Sequence, residues 1–318
     1  MTLRDKINIP VRNQGLYGLC WDFASMKSLE TYLALNGYGD FDFSELHVDY
    51  IESDEFGNSR KLHDGGNFSD FKEYLMYNYG PVFESEVPYS ENYSIDEYDN
   101  LLNMEQRAFV GETVDFPYLT KNPQNVNYKP ELWGDFRKKV KEHIMKNGSL
   151  YCGIISPQSQ IFNYEHFALY FSGDWSILQN GRSDGHAVSI IGWDDNYSKE
   201  NFNEDMRPEH DGAYIAVNSW GDSWGDNGVF YISYEDYCVE ENLCGIISAS
   251  TNINDVLKEV QFDDMNLYNE VKKILDRKVI RYNDESRTMY MTKLSKDSVY
   301  YLNLENKGIS NINGIEKI

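Results

Sequence analysis

An α+β fold is predicted for this 318-residue chain by three features of its pattern. Helix-period segments with clear stops dominate up to residue 147. Short runs rich in Val, Ile and Tyr take over from about residue 149, and Gly, Asn and Asp turns punctuate them. At roughly 150 residues per domain, the length suggests about two domains and excludes a disulfide-stapled miniprotein.

Residues 20–35 place Trp21, Ala24, Leu29 and Leu33 among good helix formers, and Asn36-Gly37 supplies the stop. Ahead of them Asn13-Gln14-Gly15 and Gly18 make a turn-rich approach, so Cys20 is expected where a loop meets a helix N-terminus. Further helices are expected at about 68–79 and at 132–147, the second ending at Asn147-Gly148. Strands are expected over 150–155, 187–193, 213–218 and 228–233. Residues 90–130 and 194–212 are polar and read as surface insertions.

Past residue 254 the pattern predicts a charged helix over 255–275 and apolar alternation over 288–304. In the tail LNLENKGISNINGIEKI, Leu302, Leu304, Ile309, Ile312 and Ile315 follow the rhythm of one leucine-rich repeat, with Asn311 and Asn313 in turn positions. A single repeat cannot bury its own apolar face. Residues 254–318 are therefore expected to be a small C-terminal appendage holding the cap and first repeat of such a module, the plainer reading being an accidental alternation.

Lys and Arg number 29 against 52 Asp and Glu, a net charge of −23 that would repel a phosphate backbone and excludes nucleic acid as the expected partner. Hydrophobic residues at 41%, with 25 Tyr, mark a folded chain rather than an acidic disordered one. No apolar run approaches the roughly 20 residues of a membrane span, and residues 1–10 lack the apolar core of a secretory signal. His47, His63, His143, His166 and His210 stand singly in polar contexts and are expected on the surface, with no metal site or cofactor implied. The carboxylate-rich stretches 93–99 and 194–205 could offer oxygens to Ca²⁺, but lack the EF-hand glycine and bidentate Glu and read as solvated loops. Cys152, in an apolar run, is expected to be buried and inert, whereas Cys238 and Cys244 could close a small loop or remain thiols.

A nucleophilic cysteine needs a stabilised thiolate, an imidazole, a group to orient that imidazole and a donor for the oxyanion. The chain offers one candidate for each. Cys20 at a helix start would feel unpaired N–H groups and the helix dipole. Gln14, six residues earlier, has a side-chain NH₂ to donate. His186 lies in SDGHAVSIIGW, where Gly185 permits close backbone approach and the apolar run fixes the imidazole on a buried strand. Asn218, in AVNSWGDSWGDNG, can accept from one imidazole nitrogen, and Trp220 can shield that bond from water.

NQGLYGLCWDFA, SDGHAVSIIGW and NSWGDSWGDNG, in that order, resemble the nucleophile, histidine and asparagine segments of the papain-like cysteine peptidase family. The resemblance runs over about residues 3–250 and includes GGNFSDFKEYLMYNYGPVFESEVPY, similar to the segment with the substrate-binding glycines. It implies a two-lobed papain-like fold, a helical lobe plus a β-barrel-like lobe, spanning residues 1–253. It further implies Cys20 as nucleophile, His186 as acid and base, Asn218 as orienting residue and Gln14 as oxyanion donor. The implied activity is hydrolysis of peptide bonds through an acyl-enzyme thioester, with a protein or peptide as substrate. Gly65 and Gly66, Gly185 and Trp220 would line the substrate path. Phe68, Gly153, Ala187 and Ala249 align with the pocket for the side chain two residues before the scissile bond and imply an apolar preference there.

Tyr17 and His63 stand where the family commonly has disulfide cysteines, and Leu19 and Asp22 replace small residues flanking Cys20-Trp21. The missing bridges fit bacterial relatives better than lysosomal ones. Asp22 is expected either to raise the thiol pKa or to face solvent. With Cys20 close to Met1, control is expected through a removed prosegment, a separate inhibitor, the compartment or the inserted loops. An extracellular or cell-surface setting follows from the repeat-like tail and the habits of similar bacterial proteins. The rival readings are a catalytically silent peptide-binding or adhesion protein, and a transpeptidase or ligase using the same site.

Overall fold

The computed structural model describes residues 1–90, 101–178, 184–262, 264–275, 278–292, 294 and 312–313. Its central element is α1 (Cys20–Leu35), which is buried on almost every side and packs against three strands as well as three further helices. A helix buried all round must satisfy its polar residues internally. Ser25 Oγ donates to Trp21 O at 2.6 Å, Thr31 Oγ1 to Lys27 O at 2.8 Å, and Lys27 Nζ to Glu30 Oε2 at 2.9 Å. Arg12 closes the set, reaching Glu30 and Glu45 at 2.7 Å each.

The helical lobe adds α2 (Glu45–Ile51), capped by Ser44 accepting from His47 N, and α3 (Phe68–Met76), capped by an Asn67–Asp70 box. Pattern reading missed the short α2, whose seven residues are all buried and show no polar face. Its core holds Leu19, Trp21, Met26, Leu29, Phe43, Phe71 and Tyr74. Acids are buried here too: both carboxylate oxygens of Asp22 and Oε1 of Glu52 are buried without a partner among the described residues.

The second lobe is an open eight-stranded sheet in the order β1-β8-β2-β5-β6-β7-β4-β3. It comprises β1 (Phe109–Asp115), β2 (Leu150–Ile155), β3 (Phe162–Asn163), β4 (Ala168–Leu169), β5 (Gly185–Asp194), β6 (Ala213–Val217), β7 (Val229–Ser233) and β8 (Cys244–Ser250). All neighbours are antiparallel except β4 and β7. The expected barrel does not close: two-residue strands end one edge and β1 ends the other. α4 (Trp133–Asn147) covers the sheet, with Phe136, Val140 and Ile144 in a core shared with Leu150, Ile190, Tyr214 and Phe230. Beneath it Glu240 is buried and takes Lys121 at 3.2 Å, Arg137 at 2.7 Å and the Tyr214 hydroxyl at 2.9 Å.

Several expectations need correction. Residues 90–130 are not only an insertion, because β1 supplies a sheet edge paired with β8, and Leu101, Ala108 and Val110 enter the helical-lobe core. The helix expected over 255–275 divides into β9 (Leu257–Phe262), whose alternating Val260 and Phe262 point inward, and α5 (Met265–Leu275). With β10 (Arg281–Asn283), β11 (Thr288–Thr292) and β12 (Ile312–Asn313), β9 makes a four-stranded sheet in the order β10-β11-β9-β12. Leu302, Leu304, Ile309 and Ile315 of the repeat-like rhythm lie outside the described residues, as does 93–99. His47 and His143 are buried rather than exposed. Tyr74 OH and Leu101 O lie 2.8 and 2.9 Å from the two His47 ring nitrogens, and burial pushes both imidazoles down to about 4. Cys238 and Cys244 are free thiols and Cys152 is a buried one. No helix among the described residues is long and apolar enough to cross a membrane.

Candidate active site

The segment before α1 is tied to the loop after β6. Asn13 bridges Trp220, Gln14 N donates to Ser219 O at 2.8 Å, and Gly221 N donates to Arg12 O at 3.0 Å. Gly15 turns the chain at φ 59, its N–H donating to Asn13 Oδ1 at 2.9 Å. Gln14 is thereby buried with its amide fixed: Ser219 Oγ donates to Oε1 at 2.5 Å, and Nε2 donates to Tyr17 O at 2.8 Å. One Nε2 hydrogen is left over.

Cys20 is the first residue of α1, and no side chain caps the helix there. The main-chain N–H groups of Ala187, Trp21 and Cys20 pull the thiol pKa down, while burial, the larger effect, raises it. Asp22 follows neither expectation. It is fully buried near Glu45 and Asp49, and burial first, then those carboxylates, push its pKa well above the usual carboxylate range.

His186 is the second residue of β5, and its backbone neighbour Ala187 is the residue whose N–H faces the sulfur. Its Nε2 lies 2.8 Å from Asn218 Oδ1, which also accepts from Ser219 N at 2.8 Å. The Trp220 ring stacks on the imidazole, centroids 4.7 Å apart, and is itself braced edge-on by Trp224. Burial lowers His186 to about 4, against the Asn218 bond, which raises it. The imidazole is therefore neutral near pH 7, with one nitrogen committed to Asn218.

Beside this set, Gly66 lies against Trp21, where a Cβ would come within 2.7 Å of the ring, while Gly65 has open space. Gly153 and Ala187 are register partners across β2 and β5, and Gly185 pairs with Ile155 at the exposed start of β5. Phe68, Ala187 and Ala249 share one apolar cluster with Tyr151, whose ring lies 5.6 Å from Phe68. Sequence reasoning missed Tyr151, two residues before Gly153 on the same strand face, and Ser219, which joins Asn218 to Gln14. It also missed Asn242, whose Oδ1 accepts from Gly153 N at 2.8 Å and whose side chain occupies the space a Cβ at 153 would need. Among the described residues no three His, Cys, Asp or Glu side chains are placed to hold a metal ion.

The model of the papain family cysteine proteases matches residues 2–253. Probable cysteine protease RD19B of Arabidopsis thaliana is 24% identical over 77% of this chain and 58% of its own length. Pro-cathepsin H of Mus musculus is 26% identical over 79% of this chain and 63% of its own length. Among solved structures, the clostridial cysteine protease Cwp84 after propeptide cleavage superposes with a TM-score of 0.63 at 29% identity, covering 82% of this chain and 60% of that one. A second Cwp84 structure, of its cysteine protease and lectin-like domains, matches at 30% identity and the same TM-score; that protein is a surface layer associated protein of Clostridium difficile. The order of Gln14, Cys20, His186 and Asn218, the helix on which the cysteine sits and the match over residues 2–253 agree, and the chain belongs to the papain family of cysteine proteases.

Proposed function

We propose that residues 1–253 are a cysteine endopeptidase with Cys20 as nucleophile, and that residues 254–318 form an appended unit. The observation that carries this is the pairing of His186 Nε2 with Asn218 Oδ1 at 2.8 Å, next to an Ala187 N–H that faces the Cys20 sulfur. The neutral imidazole takes the thiol proton as the sulfur attacks a peptide carbonyl. Asn218 and the Trp220 ring hold the resulting imidazolium in place. The oxyanion accepts from the remaining Gln14 Nε2 hydrogen and from Cys20 N–H. His186 then gives its proton to the leaving amine, and water, deprotonated by His186, opens the thioester and restores the thiol.

The apolar cluster of Phe68, Tyr151, Ala187 and Ala249 supports a preference for an apolar residue two positions before the scissile bond. Gly65 and Gly66 offer main-chain groups to an extended substrate. The surface-layer association of Cwp84 supports a cell-surface setting for this chain as well. Fluorogenic peptides with Leu, Phe or Arg at that position test the reading. Hydrolysis by the wild type that favours Leu and Phe, and vanishes in Cys20→Ala, is expected. Equal cleavage of the Arg peptide would remove the preference, and hydrolysis surviving in Cys20→Ala would remove the mechanism.

A further inference from the structure

Asp49 in α2 is fully buried, and its carboxylate gathers the loop over residues 60–64. Arg60 Nη2 donates to Oδ1 at 2.6 Å, and His63 N donates to both oxygens at 3.1 Å. His63 Nδ1 lies 2.6 Å from Oδ2. The same Arg60 sits 4.9 Å over the Trp21 ring and donates from Nη1 to Asp64 O at 3.0 Å. Held this way, His63 takes a φ of 65, in the left-handed region that His and Asn enter more often than most residues with a side chain.

One face of the His63 imidazole lies flat on Tyr17, with centroids 3.8 Å apart and planes 3° from parallel. Tyr17 belongs to the turn whose carbonyl accepts from Gln14 Nε2, and Tyr89, edge-on to Tyr17 at 6.3 Å, donates from its hydroxyl to Gln14 O at 2.6 Å. Gly18 N donates to His63 O at 2.9 Å, so close that a Cβ on Gly18 would lie 3.0 Å from Gly65 N. The oxyanion turn and the segment holding Gly65 and Gly66 thus meet through this pair of rings and the Gly18–His63 main-chain bond, each ring being fixed from behind.

We propose that the Tyr17–His63 stack, anchored on Asp49, is the positioning device that sets Gln14 against Gly65 and Gly66, so that substrate affinity and turnover depend on it together. This rests on the peptidase reading. Tyr17 and His63 are positioning residues that act through Gln14 and the glycines. Because His63 is tied to Asp49 and Tyr17 to Gln14, losing either ring leaves only the Gly18–His63 main-chain bond to hold the two segments in register, and small misplacements near reacting atoms are costly in rate.

The test is steady-state kinetics of wild type, Tyr17→Leu, Tyr17→Phe, His63→Asn and the Tyr17→Leu/His63→Asn double variant. All are normalised to active sites titrated with an irreversible peptide epoxide. Asn at 63 accepts the positive φ and still carries a donor for Asp49, so the change removes the ring alone. Each of Tyr17→Leu and His63→Asn is expected to lose about tenfold in kcat/KM, through a higher KM and a lower kcat. Tyr17→Phe is expected to recover most of the loss seen in Tyr17→Leu, and the double variant to be no worse than the poorer single one.

Losses that multiply in the double variant overturn the proposal, as does a fall in thermal stability with kcat and KM per active site unchanged. If Tyr17→Leu does not fold, His63→Asn against Tyr17→Phe decides: a loss in the first with near-normal kinetics in the second supports the device, and equal activity overturns it. An inactive wild type overturns the peptidase reading and this proposal with it. An active wild type with multiplying losses overturns this proposal alone.

Discussion

Replacing Glu52 by Gln should stabilise the protein at alkaline pH and leave it unchanged in acid. Glu52 follows α2, is 4% exposed, and its Oε1 is buried without a partner among the described residues. Burial first, then Glu73 and Asp70, push its pKa up to about 8, with Arg60 opposing. The folded state therefore binds this proton more tightly than the unfolded one. The contribution to stability is complete below pH about 4.5 and declines as pH rises to about 8, where the folded-state carboxyl ionises. At about 1.36 kcal/mol per pH unit the window corresponds to a ceiling of about 4–5 kcal/mol. Relaxation and water entry around an ionised carboxylate reduce that to about 1–3 kcal/mol in practice. Glu84 and Asp236, pushed up mainly by burial to about 7 and about 6, act in the same direction, so the variant keeps a shallower slope. Urea unfolding in a Cys20→Ala background, which removes self-digestion, measures the effect at pH 5 and pH 8. The two proteins should agree within about 0.5 kcal/mol at pH 5 and differ by about 1–3 kcal/mol at pH 8 in favour of Gln. Equal stabilities at pH 8, or a less stable Gln variant there, would mean that the fold does not hold the Glu52 carboxyl protonated.

Asn218→Ala removes the acceptor at 2.8 Å from His186, a bond that strengthens when the imidazole is charged, so kcat/KM should fall about 10- to 100-fold per folded molecule. Glu240→Ala leaves Lys121 and Arg137 without their shared carboxylate and should cost about 3–5 kcal/mol in thermal or urea unfolding, whereas Glu240→Gln should cost less. Gly66→Ala drives a Cβ to 2.7 Å from Trp21, the residue after Cys20, and should destabilise by about 1–3 kcal/mol while raising KM for peptide substrates.

The parts of the fold that were legible in the sequence are those with a strong local period. The helix from Cys20 to Leu35 and strands such as β2 and β6 emerged because their apolar spacing and turn residues agree. The candidate site was legible because three motifs each place one chemical group on the end of a helix or buried strand. What stayed hidden depends on tertiary partners. α2 has no polar face, because Asp49, Glu45 and His47 are all buried and bonded inside. Asp22 looks like a surface charge until the packing of α1 against α2 is known. β1 looked like part of a loop because it is stabilised by β8, more than a hundred residues away. Tyr17 and His63 read only as departures from a family pattern, since no local rule indicates that two rings 46 positions apart will stack.

If Cys20 is an activated thiol in a peptide-binding cleft, an irreversible peptide epoxide will label it under reducing conditions. Wild type, Cys20→Ala and His186→Ala are compared, and the adduct is located by mass spectrometry. A single adduct on Cys20, absent in Cys20→Ala and strongly slowed in His186→Ala, is the predicted result. No adduct, or labelling spread over Cys152, Cys238 and Cys244, would contradict the account and favour a peptide-binding scaffold without catalysis.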